Sequence, residues 1–166
     1  MRLSYRLARA ALMTAIALII YVIESYVVIF PPLPYFRLGL SNVVIMFTLI
    51  WCGAVEAYSV LIVRNLLGAI FAGNIQMLMY SMPASLIALT VLLLCLPLVK
   101  RVSLIALSVL SSVIHNLVQL SVFCIVCNSV APLTYFPYLG VLGAIAGAIT
   151  GLVVFYTVKK LPESLE

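Results

Sequence analysis

From Val102 to Cys127 the chain contains no Asp, Glu, Lys or Arg. As a helix rising about 1.5 Å per residue, this stretch is long enough to cross the roughly 30 Å hydrocarbon core of a bilayer. It reads as a transmembrane span, but not a uniformly apolar one. Ser108, Ser112, His115 and Gln119 are spaced four, three and four apart, which sets them on one helix face with Ser111 and Asn116 flanking it. Hydrocarbon offers such groups no hydrogen-bond partner, so the stripe must point at other helices or at a cavity. Ser, Asn, Gln and His commonly cross-link membrane helices, and that is the simpler reading. A full stripe that includes an ionisable group goes further, toward a ligand-lined cavity.

The composition carries the same constraint to the whole chain. Hydrophobic residues make up 66%, charged residues 8%, and the mean hydropathy is +1.33, which leaves too little polar surface to cover a water-soluble core. The sequence predicts an all-α integral membrane protein, one domain over residues 1–166, and any catalysis would have to occur in the membrane. The first apolar run is too long for a signal-peptide core and is expected to be retained. A net charge of +5 does not point to nucleic acid, because the cations sit in short clusters at span ends rather than along one face. Of Cys52, Cys95, Cys124 and Cys127, only the last two share a helix face. With no second pair to complete a metal or redox site, no cofactor is expected and the cysteines read as small buried side chains.

Six spans are expected, at about 7–30, 38–51, 57–71, 78–99, 102–127 and 138–158. The second is short for a bilayer, and Pro31-Pro32-Leu33-Pro34 closes the first. An even number of spans puts both termini on one side. Arg2, Arg6, Arg9, Lys100, Arg101, Lys159 and Lys160 fall on that side and only Arg37 in a loop on the other, so both termini are expected in the cytoplasm and the chain in the plasma membrane.

This topology gives the polar residues a depth. Glu24, Arg37, Asn42, Asn74, His115, Asn116 and Gln119 gather in the outer half, which predicts an externally facing pocket with aromatics such as Tyr80, Tyr135 and Phe136 in it. Arg64 lies at mid-depth, where an unpaired cation is costly. Glu24 or Glu56 is its expected partner, and a structural ion pair and a ligand contact are equally open. Two small-residue patterns, Ala11 with Ala15 in span one and Gly143, Gly147 and Gly151 in span six, mark faces for close helix approach, either inside the bundle or against a partner protein.

Three ordered stretches carry a family resemblance: Arg37-Leu-Gly-Leu-Ser-Asn42, then Arg64-Asn-Leu-Leu-Gly-Ala-Ile-Phe-Ala-Gly73-Asn74, then Ser108 to Leu120 around His115-Asn116-Leu-Val-Gln119. They resemble the signatures of the Gx transporter family, often labelled heptaprenyl diphosphate synthase component I. One departure is Val118, where the family pattern has Gly. Through this family the chain resembles the substrate-binding S components of energy-coupling factor (ECF) transporters. That resemblance implies a six-helix bundle that captures a vitamin, cofactor or isoprenoid- or quinone-like molecule from outside. It also implies partners: a transmembrane coupling protein and two cytoplasmic ATPases, with Ala11 and Ala15 matching the Ala-x-x-x-Ala pattern that meets the coupling protein.

The synthase label meets a chemical objection. Prenyl diphosphate synthases hold Mg²⁺ and diphosphate with clustered aspartates, since a hard cation needs carboxylate oxygens. This chain has no Asp and its Glu residues, 24, 56, 163 and 166, are scattered. No Walker Gly-x-x-x-x-Gly-Lys sequence is present either, so an ATP-driven process would need a partner. The sequence thus favours a capture subunit over an enzyme. Two alternatives stay open at this level: a membrane subunit of a quinone- or flavin-linked electron-transfer assembly, in which His115, Cys124 and Cys127 would matter, and an assembly scaffold whose polar stripe is adhesive only.

Overall fold

The structure, a computed structural model, describes residues 3–26, 39–100 and 102–160. Among these residues there are six α-helices and no strand: α1 (Leu3–Ser25), α2 (Asn42–Trp51), α3 (Ala54–Phe71), α4 (Gln76–Cys95), α5 (Leu104–Val126) and α6 (Phe136–Lys160). Short 3₁₀ turns follow α4 at Leu96–Lys100 and precede α6 at Ala131–Tyr135. All but α2 are long and apolar enough to cross a membrane. Pro83 stays inside α4, and the proline at 97 falls where that helix tightens into its 3₁₀ turn.

At ten residues, α2 reaches only about 15 Å. It is shielded rather than spanning: Val44, Ile45, Met46, Thr48 and Leu49 are buried, in contact with α1, α3 and α6. The Thr48 hydroxyl donates to the Val44 carbonyl at 2.7 Å, so it adds no unsatisfied group to the apolar centre. That centre holds Ala17 of α1, Ala57, Val60 and Leu61 of α3, Leu107 of α5 and Val154 of α6. Outward-facing positions are also apolar: Leu7, Ile19 and Ile23 of α1, Ile70 of α3, Leu94 of α4 and Val141 of α6 are all exposed. So much exposed hydrocarbon is a liability in water and the normal condition in lipid.

The two small-residue patterns have different fates. Gly143, Gly147 and Gly151 face α5, and a Cβ at Gly147 would stand 2.7 Å from Val109 Cα and 2.9 Å from the Ser108 carbonyl oxygen. The α5–α6 seam is therefore a backbone-to-backbone approach inside the bundle, the small-residue packing that membrane helices favour. Ala11 and Ala15 lie on the outer face of α1 and are exposed. Met13, Ala17, Tyr21 and Glu24, spaced four, four and three apart, form its buried face.

The helices alternate in direction, so the starts of α1, α3 and α5 and the ends of α2, α4 and α6 share one end of the bundle. Arg6 and Arg9 of α1 and Lys159 and Lys160 of α6 lie at that end. There the Arg6 guanidinium pairs with Glu56, Nε donating to Oε1 at 2.6 Å, and ties the first turn of α3 to α1. Glu56 is thus taken by Arg6 and does not serve Arg64 as the sequence allowed.

A polar cavity opposite the basic end

The opposite end is built from the last turns of α1, the approach to α2, the start of α4 and the second half of α5. Here a cavity is lined by Tyr21 and Glu24 of α1, Arg64 of α3, Ser81 and Ser85 of α4, and His115 and Gln119 of α5. Gly39, Ser41, Asn42 and Met77 complete its wall. Each helix supplies its residues by periodicity: Tyr21 and Glu24 are three apart, Ser81 and Ser85 four, His115 and Gln119 four, so each pair shares one inward face.

Arg64 organises the wall. It is 2% exposed. Its Nη1 donates to Ser41 Oγ and to Asn42 Oδ1 at 3.3 Å, and its Nη2 donates to Asn65 Oδ1 at 2.9 Å. The guanidinium carbon lies 5.3 Å from the centroid of the Tyr21 ring, within reach of a cation–π attraction. Tyr21 can lie there because residue 68 is glycine, since a Cβ at Gly68 would overlap the ring. One planar cation thus ties α3 to α1 and to the start of α2.

The Glu24 carboxylate accepts from the backbone N–H groups of Gly39 and Leu40, the latter at 3.3 Å. Those donors belong to the turn that leads into α2, where a carboxylate suits the positive end of the helix. Gly39 has φ +75°, and a side chain there would meet Asn42 Nδ2 at 2.8 Å. Only glycine lets the chain turn over Glu24 in this way.

Three buried polar atoms of the wall have no hydrogen-bond partner among the described residues: Ser81 Oγ, Ser85 Oγ and His115 Nδ1. The residues are 7%, 3% and 5% exposed. Buried polar groups are normally satisfied, so three open valences around one space, beside a cation and a carboxylate, are what a site awaiting a polar ligand would present.

The α5 stripe divides between the two roles the sequence left open. His115 and Gln119 face the cavity. Asn116 turns to α6, its Nδ2 donating to the Leu139 carbonyl at 2.9 Å beside Gly143, so it is a cross-link and not a wall residue. Asn74 also stands apart: its Oδ1 accepts from the Met77 N–H at 3.4 Å and holds the turn into α4. Of the other expected site residues, Glu24, Asn42 and Arg64 line the cavity, and Arg37 lies outside the described residues.

The expected aromatics are elsewhere. Tyr80 packs edge-on against Phe123, centroids 5.4 Å apart, Phe136 packs against Leu120 and Leu139, and Tyr135 is exposed. Tyr21 is the aromatic of this wall, and Ser81 and Ser85 are further members that the sequence reading passed over. The i, i+4 serine pair around Pro83 was the available signal. Cys124 is buried and Cys127 exposed, both free, and no three of His, Cys, Asp and Glu converge among the described residues.

No curated protein and no solved structure gives a significant match to the chain. A family model does, described as heptaprenyl diphosphate synthase component I and matched over residues 13–157. That match contains the whole cavity, and by it the chain belongs to the heptaprenyl diphosphate synthase component I family, the Gx transporter family.

Proposed function

We propose that this membrane protein is the substrate-capture subunit of an ECF-type transporter, taking a small molecule from outside into the cavity around Arg64. The observation that carries the reading is the set of open valences at Ser81, Ser85 and His115 on a wall that also holds the Arg64 and Glu24 side chains. Groups needed only for adhesion would be paired across helices, as Asn116 Nδ2 is with the Leu139 carbonyl although its Oδ1 is left open. The cavity lies away from the end that carries Arg6, Arg9, Lys159 and Lys160. With that basic end in the cytoplasm, the cavity faces out across the plasma membrane. A reporter fused after Glu166 should then read as cytoplasmic, and an external reading would reverse the orientation.

His115 separates capture from adhesion. Its Nδ1 has no partner among the described residues, while the ring also bonds to the Ala84 backbone, and His115→Leu should abolish retention of the ligand. The single bond to the Ala84 backbone that is lost should cost no more than about 1.5 kcal/mol, the net worth of one hydrogen bond. A loss of several kcal/mol in a detergent unfolding assay, with retention intact, would assign His115 to adhesion.

Partners follow from what the chain lacks. Without a nucleotide-binding motif it needs a driven partner, here a transmembrane coupling protein with two ATPases, and the exposed Ala11 and Ala15 offer a face where two helices can approach closely. The double substitution of Ala11 and Ala15 by Trp should break co-purification with the ATPase module. Ligand binding by the isolated chain should persist, because the cavity is at the other end. Retained co-purification with lost binding would place the docking surface elsewhere.

A further inference from the structure

The cavity around Arg64 does not end at Ser85. Gly39, Asn42 and Ser85 also line a second chamber, and the remaining walls of that chamber come from later residues of α2 and α4 and earlier residues of α5. It therefore extends from the Arg64 site toward the end that carries the start of α1 and the end of α6. Its two sides differ in chemistry. One is hydrocarbon, from Ile45, Leu61, Leu89 and Leu92; the other carries the hydroxyl-bearing Ser108, Ser112 and Thr150 of α5 and α6. The two chambers enclose about 430 and 330 Å³ of space, a figure that includes their open mouths.

We infer that the two chambers form one elongated site for an aromatic or heteroaromatic acid, its carboxylate or equivalent acceptor group at Arg64 and its ring in the deeper chamber. This rests on the capture reading above and narrows it to a ligand class. The acceptor end is assigned by the donors that meet at the first chamber, the Arg64 guanidinium and the Ser81 and Ser85 hydroxyls. The ring is assigned by the asymmetry of the second. A prenyl or acyl chain would satisfy the leucine side and desolvate the hydroxyl side without giving it a partner. A sugar would do the reverse. A flat ring that carries a nitrogen or carbonyl on its edge presents hydrocarbon to one side and an acceptor to the other. Ser85, 3% exposed and without a partner among the described residues, stands where the two parts of the ligand join.

The test uses the full chain in detergent and measures binding of quinoline-3-carboxylate, its linear three-ring homologue benzo[g]quinoline-3-carboxylate, and decanoate. The two-ring acid should bind the wild type, with decanoate weaker by about 10–200-fold, the range that small misfits in a pocket produce. Ala88→Leu, which fills the deeper chamber without touching Arg64, should weaken the two-ring acid by a factor in the same range. Leu92→Ala should shift preference toward the three-ring homologue, a gain that misfolding does not give. Equal or tighter binding of decanoate, or an unchanged ring-size preference in Leu92→Ala, would overturn the assignment. If the wild type binds neither acid yet retains some other small molecule, the ligand class falls while capture stands; if it binds and retains nothing, capture falls and the ligand class with it.

Discussion

Replacing Gly147 with leucine should destabilise the bundle by about 3 kcal/mol or more, at the upper end of the overpacking range. The atoms that a side chain would meet are backbone or lie close to it: Val109 Cα at 2.7 Å, the Ser108 carbonyl oxygen at 2.9 Å and Ser112 Cβ at 2.9 Å. None can swing away as a flexible side-chain end could, so α5 itself has to move from α6. The same displacement would shift Ser108 and Ser112 and deform the chamber they line. Gly140 is the control, because a Cβ there finds only Phe136 Cζ at 4.0 Å. Gly140→Ala should be neutral or stabilising by up to about 1 kcal/mol, from the better helix propensity of alanine. Thermal unfolding of both variants in the same detergent reads the contrast. Equal midpoints would mean that the seam is looser than its geometry.

Arg64→Met should cost about 3–5 kcal/mol, the scale of removing one partner from a buried charged network, and abolish ligand retention as well. The side chain ties three elements together through Ser41, Asn42, Asn65 and Tyr21, so its loss frees the start of α2 and the inner face of α1. Arg64→Lys separates the two contributions. It keeps the charge at the cavity but cannot reproduce a planar fork that reaches Ser41 and Asn65 from two nitrogens. It should therefore recover part of the retention while most of the stability loss remains. Unfolding midpoints and bound-ligand measurements on both variants test this. Full stability in Arg64→Met would remove the cation from the structural framework altogether.

Much of this arrangement was legible in the residues. The uninterrupted apolar stretch to Cys127 and the spacing of Ser108, Ser112, His115 and Gln119 led to a membrane helix with a polar face. The shortness of α2 was visible in its own sequence. What periodicity could not do was apportion that face. Ser112 and Asn116 meet glycines of α6 while His115 and Gln119 meet the cavity, a division set by where α6 packs. Glu56 was a plausible partner for Arg64 by charge, but it sits in the first turn of α3 at the basic end, where Arg6 pairs with it. Tyr80, Tyr135 and Phe136 were assigned to the pocket by depth alone, whereas the ring beside Arg64 is Tyr21, admitted by the missing side chain at Gly68. Glycine marks such a place in a sequence but does not say which ring will fill it.

A small molecule held at Arg64, Ser81, Ser85 and His115 is what capture requires of this protein. The measurement is mass spectrometry of the small molecules released from the full chain after gentle purification from its native membrane, with His115→Leu purified in parallel. The wild type should release a defined organic compound in stoichiometric amount, and the variant should not. A wild type that releases only lipid and detergent, or a variant that releases the same compound in the same amount, would contradict capture.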